Sequence, residues 1–391
     1  MSLNIDGRYN RQVLADLVRC DSVNPAFSGS DGQSGRGERA IADLVAGILS
    51  DLNLDVQLHE SVDGRSSVVG VLRGTGGGRS LMLNGHLDTV GPGNMERPFE
   101  PRVESGRLYG RGAYDMKGAL AACIGCVAAL IESGQRLKGD LVLAMVADEE
   151  DASRGTIDVL DHCSVDGAIV TEPTELHLCM AHKGFTWLKI TTHGFACHGS
   201  DFKRGVDANM RMGRILGQLS ELEASLRDRT PHPLVGPPSI HAPLIRGGVG
   251  PSVYSPECVV ELERRTIPGE TEAAVVSEVE TVVRSPQVGL PEDSAIVESG
   301  LSRAPFEAAA DSAVAEHLTA CFRADNGGSP AVIGVPFWTD AALIAATGAD
   351  TVVFGPAGDG AHQDVEWVDL DSVDRCARVL ADTAIGYCGA A

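Results

Sequence analysis

No apolar run in the 391-residue sequence approaches the roughly 20 residues of a membrane span, which excludes a helical membrane protein at this level. Positive charge is scarce. Lys and Arg number 32 against 54 Asp and Glu, a formal net charge of −22 that repels phosphate backbones and anionic headgroups and excludes nucleic acid and membrane surfaces as partners. The opening MSLNIDGRYNRQVLADLV lacks the basic-then-apolar pattern of a secretory leader, and the ten cysteines show no disulfide-framework spacing. A cytoplasmic protein is expected. Internal repeats and low-complexity tracts are missing, as are a G-x-S-x-G elbow, an H-E-x-x-H helix and a P-loop. The glycine-rich RGTGGGR at 73–79 fails the spacing of a dinucleotide fingerprint. Cys123 and Cys126 have redox-pair spacing but sit in an Ala-rich apolar stretch, which predicts packing thiols.

What is present is enough chain for two or three domains at roughly 150 residues each, with an ordinary 43% hydrophobic and 22% charged content. Nearly unbroken apolar runs at 80–83, 141–146, 167–170 and 351–354 read as strands covered on both faces. Helix-period patterns at 36–49, 117–132, 312–322 and 340–346 interleave with them, so an α/β domain with a mainly parallel or mixed sheet flanked by helices is expected. The middle of the chain differs. From 184 to 298 the order is strand (185–192), helix (206–226), strand (239–246), strand (257–265), helix (270–284) and strand (294–298), with alternating strands. That β-α-β-β-α-β order predicts an inserted ferredoxin-like α+β domain over 183–299, between the two segments 1–182 and 300–391 of the first domain.

Ligands of an open α/β sheet bind beyond the carboxyl ends of its strands, and polar residues collect there. His86 and Asp88 follow the first of the buried runs in NGHLDTV, Glu149 and Glu150 follow the second in ADEED, Glu172 follows the third in TEPTE, and His362 follows the last in GPAGDGAH. Asp115, in GRGAYDMKGA, precedes the helix near Lys117. Singly, each reads as a bonded loop histidine or a solvated acid. Jointly, carboxylates crowded at one edge repel and raise their pKa values unless a cation sits among them. Mixed His and carboxylate donors without thiolate suit zinc, cobalt or manganese.

These motifs, with CHGSDFKRGVDA, ERRTIPGE, FWTDA and FGPAGDGAHQDVEWV, resemble across nearly the whole chain one family of dinuclear metallopeptidases and amidohydrolases. It includes acetylornithine deacetylase, succinyl-diaminopimelate desuccinylase, aminoacylase, carnosine-type dipeptidases and carboxypeptidase G. The resemblance implies two divalent metal ions bridged by Asp115, with His86 and Glu172 completing one and Glu150 and His362 the other. Two such ions, three carboxylates and a bridging hydroxide leave no net charge, so the cluster can be buried. The resemblance further implies Asp88 holding the second nitrogen of His86, Glu149 as general base and proton shuttle, His198 as an oxyanion donor, commonly from a partner subunit, and Arg265 as the group that holds a substrate carboxylate. Without it, His198 reads as a surface turn and Arg264 with Arg265 as an exposed charged pair. A cis peptide is expected between Asp115 and Met116.

The implied activity is hydrolysis of the amide bond of an N-acylated amino acid by a metal-bridged hydroxide. A dipeptidase or carboxypeptidase of the same family is the alternative, and a catalytically silent metal- or peptide-binding protein the alternative of another class. Retention of Glu149 argues against the last. Ser252 and Asp207 stand where many deacylases carry Asn, which weakens assignment to the best-known deacylases. The insert is expected to act as lid and homodimer interface, with hinges near 182–184 and 299–300 and with the strand at 185–192 and the following helix as contact.

Overall fold

Two compact units divide the chain in the computed structural model, which describes residues 3–27, 37–61 and 65–391. The first unit comprises Met1–Met180, Ala308–Ile333 and Thr339–Ala391, and the second Ala181–Glu307 and Gly334–Trp338.

In the first unit the strand at the centre of the sheet, Leu81–His86, is fully buried and lies parallel to Leu141–Val146 on one side and Gly167–Val170 on the other. Asp350–Val353 extends the parallel set beside Gly167–Val170. Arg65–Leu72 pairs antiparallel outside Leu141–Val146, and Asp55–Ser61 antiparallel outside that, as the sheet's edge. The sheet is mixed, with its parallel core burying both faces, as unbroken apolar runs require. Helices Gly7–Arg19, Gly118–Glu132, Ala313–Asn326 and Leu370–Cys388 pack together as one layer, while Arg39–Asp51, Arg154–His162 and Ala341–Ala346 pack on the sheet as another. The start at 36 expected for the helix observed as Arg39–Asp51 lies outside the described residues.

Helix Gly118–Glu132 overturns one expectation. With the turn before it, Ala113–Glu132 is a 20-residue stretch long and apolar enough to cross a membrane, although 78% of its most apolar window is buried inside the protein. It is a core helix, apolar on all sides because it is covered on all sides. Cys123 and Cys126 are buried within it, and both are free thiols.

The second unit has one four-stranded sheet in the order Ser239–Gly247, Glu257–Thr266, Gly184–His193, Ala295–Arg303, every neighbour antiparallel. Helices Ala208–Arg227 and Glu272–Val283 cover one face, and Leu188, Ile190, Val260, Leu262, Met212, Ile215 and Val279 form the core between. This is the ferredoxin-like arrangement. Two details differ from expectation. The last strand does not stop at 298 but stays paired with Gly184–His193 as far as Arg303↔Phe185, across a bulge between Ser299 and Ser302. Ser299 and Gly300 therefore lie inside the sheet and not at a hinge, and the unit extends past the expected boundary to Glu307. Gly184–His193 is also an interior strand with neighbours on both sides, so its edge has no free hydrogen-bonding groups to offer a partner; the edges are Ser239–Gly247 and Ala295–Arg303.

Candidate metal centre

The carboxyl ends of the parallel strands deliver the site. His86 is the last residue of its strand, Asp148 to Glu150 follow Leu141–Val146, and Glu172 follows Gly167–Val170. A small antiparallel sheet brings in the rest. Trp367–Asp369 pairs with Arg107–Tyr109 and with Gly358–Asp359, which fastens the chain leading to Asp115 beside the loop that holds His362. Gly112 enters the turn at Ala113–Lys117 with φ +77°, a conformation glycine adopts without cost, and a Cβ there would meet the Thr89 and Lys117 side chains. The Asp115–Met116 peptide is cis.

Asp115 stands between two groups. Its Oδ1 lies 3.1 Å from His86 Nε2, which is 3.8 Å from Glu172 Oε1. Its Oδ2 lies 3.3 Å from His362 Nε2, which is 3.1 Å from Glu150 Oε2. His86, Asp115 and Glu172 thus converge with donor atoms within 4.8 Å of one another, and so do Asp115, Glu150 and His362. The two triads share one carboxylate.

Burial and mutual repulsion set their electrostatics. Burial, with Asp115, Glu150 and Asp340 nearby, pushes the Glu172 carboxyl up to about 8 against the pull of His86. Burial also raises Glu150, reinforced by Asp115, and raises Glu149 far above the carboxylate range, reinforced by Glu172. Asp115 goes the other way: hydrogen bonds from His362 and His86 outweigh its own burial and hold it low. Hydrogen bonds to Asp115 and Glu150 push His362 up to about 10. Glu150 Oε1 is buried with no hydrogen-bond partner among the described residues. Carboxylates that repel one another, one oxygen of them orphaned, with imidazoles set among them, are a donor set that divalent cations fit.

Glu149 lies in neither triad, but its charge acts on His86 and Glu172. Asp88 differs from its expected role. His86 Nδ1 donates to the Asp88 backbone carbonyl at 2.9 Å, and the Asp88 carboxylate is 3.8 Å away. That carboxylate instead accepts from the backbone amides of Glu149 and Glu150, each at 3.2 Å, and from Asn24 at 2.8 Å. A two-residue reach along a strand end brings the carbonyl under the ring and turns the side chain towards the neighbouring loop.

Sequence reasoning missed the groups that hold these loops. Asp148, fully buried at φ +69°, pairs with Arg65 at 2.6 Å and accepts from Asn24, while Arg65 pairs with buried Glu38. Buried Glu366 accepts from the amides of Gly112, Tyr114 and Asp115 at 2.9–3.0 Å and from Arg111 at 2.7 Å, and so fixes the turn that carries Asp115. Glu366 stands in the QDVEWV tail four residues after His362, the one signal that could have found it; for Arg65 and Glu38 there was none.

The remaining sequence candidates belong to the second unit. Exposed His198 pairs with Val253 across a short bridge, and its Nδ1 accepts from Ser200 N at 3.2 Å, which leaves Nε2 to carry the proton. Arg265 is half-buried, ion-paired with Glu263 and over the Phe185 ring. Arg264 is no exposed neighbour of it. Strand alternation sends Arg264 to the opposite face, fully buried against Glu270 at 2.6 Å and Glu278 at 3.3 Å. Asp207 caps its helix, accepting from the amides of Asn209 and Met210.

The family model described as Peptidase family M20/M25/M40 matches residues 82–385. The chain is 31% identical to acetylornithine deacetylase of Myxococcus xanthus over 332 residues, 83% of this chain and 84% of the relative. It is 27% identical over 385 residues, 90% of each chain, to N-formyl-4-amino-5-aminomethyl-2-methylpyrimidine deformylase of Bacillus subtilis strain 168. Among solved structures, a tripeptidase of Staphylococcus aureus subsp. aureus Mu50 shares the fold with a TM-score of 0.80 at 18% identity, covering 98% of this chain and 99% of that one.

Proposed function

The chain belongs to peptidase family M20/M25/M40 and is a hydrolase of that family, and from this premise we propose that it cleaves the amide bond of an N-acylated amino acid, releasing the acyl group as a carboxylate and the amino acid as a free amine. The observation that carries the reading is the pair of His and carboxylate triads sharing Asp115. Each triad would hold one divalent ion, zinc by donor type, with cobalt or manganese as alternatives. When bound, the ions supply Lewis acidity that acidifies water and polarises a carbonyl.

The rest falls to the protein. Glu149, kept basic by its buried and acidic surroundings, accepts a proton from the attacking water and returns it to the departing amine. Asp88 fixes the backbone of Glu149 and Glu150, so base and ligand keep one spacing. The His86 ring is oriented by the Asp88 carbonyl. His198, with its proton on Nε2, is the donor for the oxyanion, and Arg265 pairs with the substrate's carboxylate. We propose that a homodimer brings His198 to the partner's site. The exposed edge strand Ser239–Gly247, carrying Leu244 and Ile245, supports an edge-to-edge contact. Ten free cysteines among the described residues support a reducing, cytoplasmic setting.

Deacylase is preferred to peptidase because the 31% identical relative bears an acyl-removing name over most of both chains, while the tripeptidase likeness is one of fold. The test is amine release from N-acetyl, N-formyl and N-succinyl amino acids and from dipeptides, with Zn²⁺ or Co²⁺ added. A higher kcat/KM on an acyl amino acid than on any dipeptide is expected. Preference for dipeptides establishes the peptidase, and no turnover on any of them the silent binding protein.

A further inference from the structure

A second constellation of metal-type donors lies in the first unit and shares no residue with the centre above. His59 sits on the edge strand Asp55–Ser61, and Asp158 and His162 sit one turn apart on helix Arg154–His162, which packs on that strand. One donor atom of each lies within 4.8 Å of the others. His59 Nδ1 is 3.7 Å from Asp158 Oδ2. That is longer than a hydrogen bond, and near the spacing of about 3.3–3.6 Å between two ligands of a tetrahedral ion with bonds of about 2.0–2.2 Å. His162 Nδ1 donates to the Asp158 carbonyl at 2.9 Å, so its Nε2 lone pair is left for a cation. Among the described residues the ion-pair partner of the Asp158 carboxylate is the His59 imidazole. The helix i, i+4 spacing and the sheet register preset all three side chains before any ion arrives. His162 is exposed, so the position is open to solvent, and the net charge of −22 favours cations around the whole molecule.

We propose that His59, Asp158 and His162 form a third cation site, for a zinc-like divalent ion, independent of the reaction above. Two imidazoles and one carboxylate match zinc, nickel or copper, with water completing the coordination. The ion would tie the edge strand to a helix that begins four residues after Glu150, and so brace the far side of the loop that carries the base.

The experiment is equilibrium dialysis of the full chain against Zn²⁺, with zinc counted per chain, on the unsubstituted protein and on His162→Gln and His59→Gln. His162 is exposed, so its variant retains the fold, and the His59 variant gives an independent reading. Both are expected to bind one zinc ion fewer per chain than the unsubstituted protein, whatever the total. Zinc should also slow amide hydrogen exchange in 55–61 and 154–162 in the unsubstituted protein and not in His162→Gln. Equal zinc content in all three proteins, or slowing that persists in the variant, overturns the proposal. Because only the difference of one ion is read, the result stands apart from whether the two-ion centre turns over any substrate.

Discussion

In the proposed mechanism Glu149 moves the proton, and Asp88, which accepts from its backbone amide, holds Glu149 in place. Replacing Glu149 by Gln keeps the shape and removes the proton-accepting oxygen pair, so kcat should fall by about 10²- to 10⁴-fold while KM and metal content stay near their starting values. Steady-state kinetics beside elemental analysis checks this, and full activity in a metal-replete variant would remove Glu149 from the mechanism. Asp88→Ala separates the carbonyl from the carboxylate. The His86 ring keeps its backbone acceptor, so the ion at His86 should be retained, whereas the amides of Glu149 and Glu150 and the Asn24 side chain lose theirs. A loss of about 2–6 kcal/mol in denaturant unfolding and a low kcat are expected, since each of the two amides left unpaired costs about 1–3 kcal/mol while Asn24 keeps Asp148. If the ion is lost instead, the carboxylate and not the carbonyl orients the ring. The residue types were legible because His and acidic residues recur after apolar runs; which atom of Asp88 does what was not, since it depends on the direction the chain takes after the strand ends.

At the scale of single elements, alternation explains what a reading along the chain concealed. Arg264 and Arg265 are neighbours in sequence and opposites in the sheet, one in an ion-paired core and the other on the face with Phe185. Arg264→Ala would leave Glu270 and Glu278 without their buried cation and should cost about 3–5 kcal/mol in chemical denaturation. Arg265→Ala should change stability by about 1 kcal/mol, less than Arg264→Ala, because its partner Glu263 keeps the Trp187 indole N–H as donor, while raising KM for substrates that carry a carboxylate. Equal destabilisation by the two would contradict the two-faced strand. Period-2 patterning gave the insert's strands and helices their order, and the observed sheet order is the one that pattern implies. The length of the last strand was not legible: 299–303 contains Ser and Gly and lacks apolar alternation, and only pairing with Gly184–His193 extends it. Helix Gly118–Glu132 was located by its apolar content, but its covering by two other helices belongs to tertiary packing that no local window contains.

Across the whole molecule the candidate centre joins residues from 86 to 362, so ions held there would cross-link distant loops as well as supply Lewis acidity. Without such ions, burial and mutual repulsion push the carboxyls of Glu149, Glu150 and Glu172 towards protonation. Chelation should therefore lower the melting temperature as well as activity, and readdition of Zn²⁺ or Co²⁺ at 100 times Kd should restore about 2.7 kcal/mol of stability per ion-binding equilibrium. An unchanged melting curve in chelator would mean the cage holds no ion. The same scale decides how His198 works. It lies in the second unit and is exposed, with Nδ1 occupied by Ser200 and Nε2 free to donate. If edge strand Ser239–Gly247 pairs across a two-fold axis, the His198 of each protomer serves the centre of the other, and an active site is complete only in the dimer. Mixing His198→Ala with Glu149→Gln after subunit exchange tests this. In trans action, each heterodimer has one site with both an intact Glu149 and an intact His198, so activity should return towards a quarter of the unsubstituted level at equal mixing, because half the dimers are mixed and one of their two sites is whole. In cis action, every site in every dimer lacks one group, and no activity returns although heterodimers form.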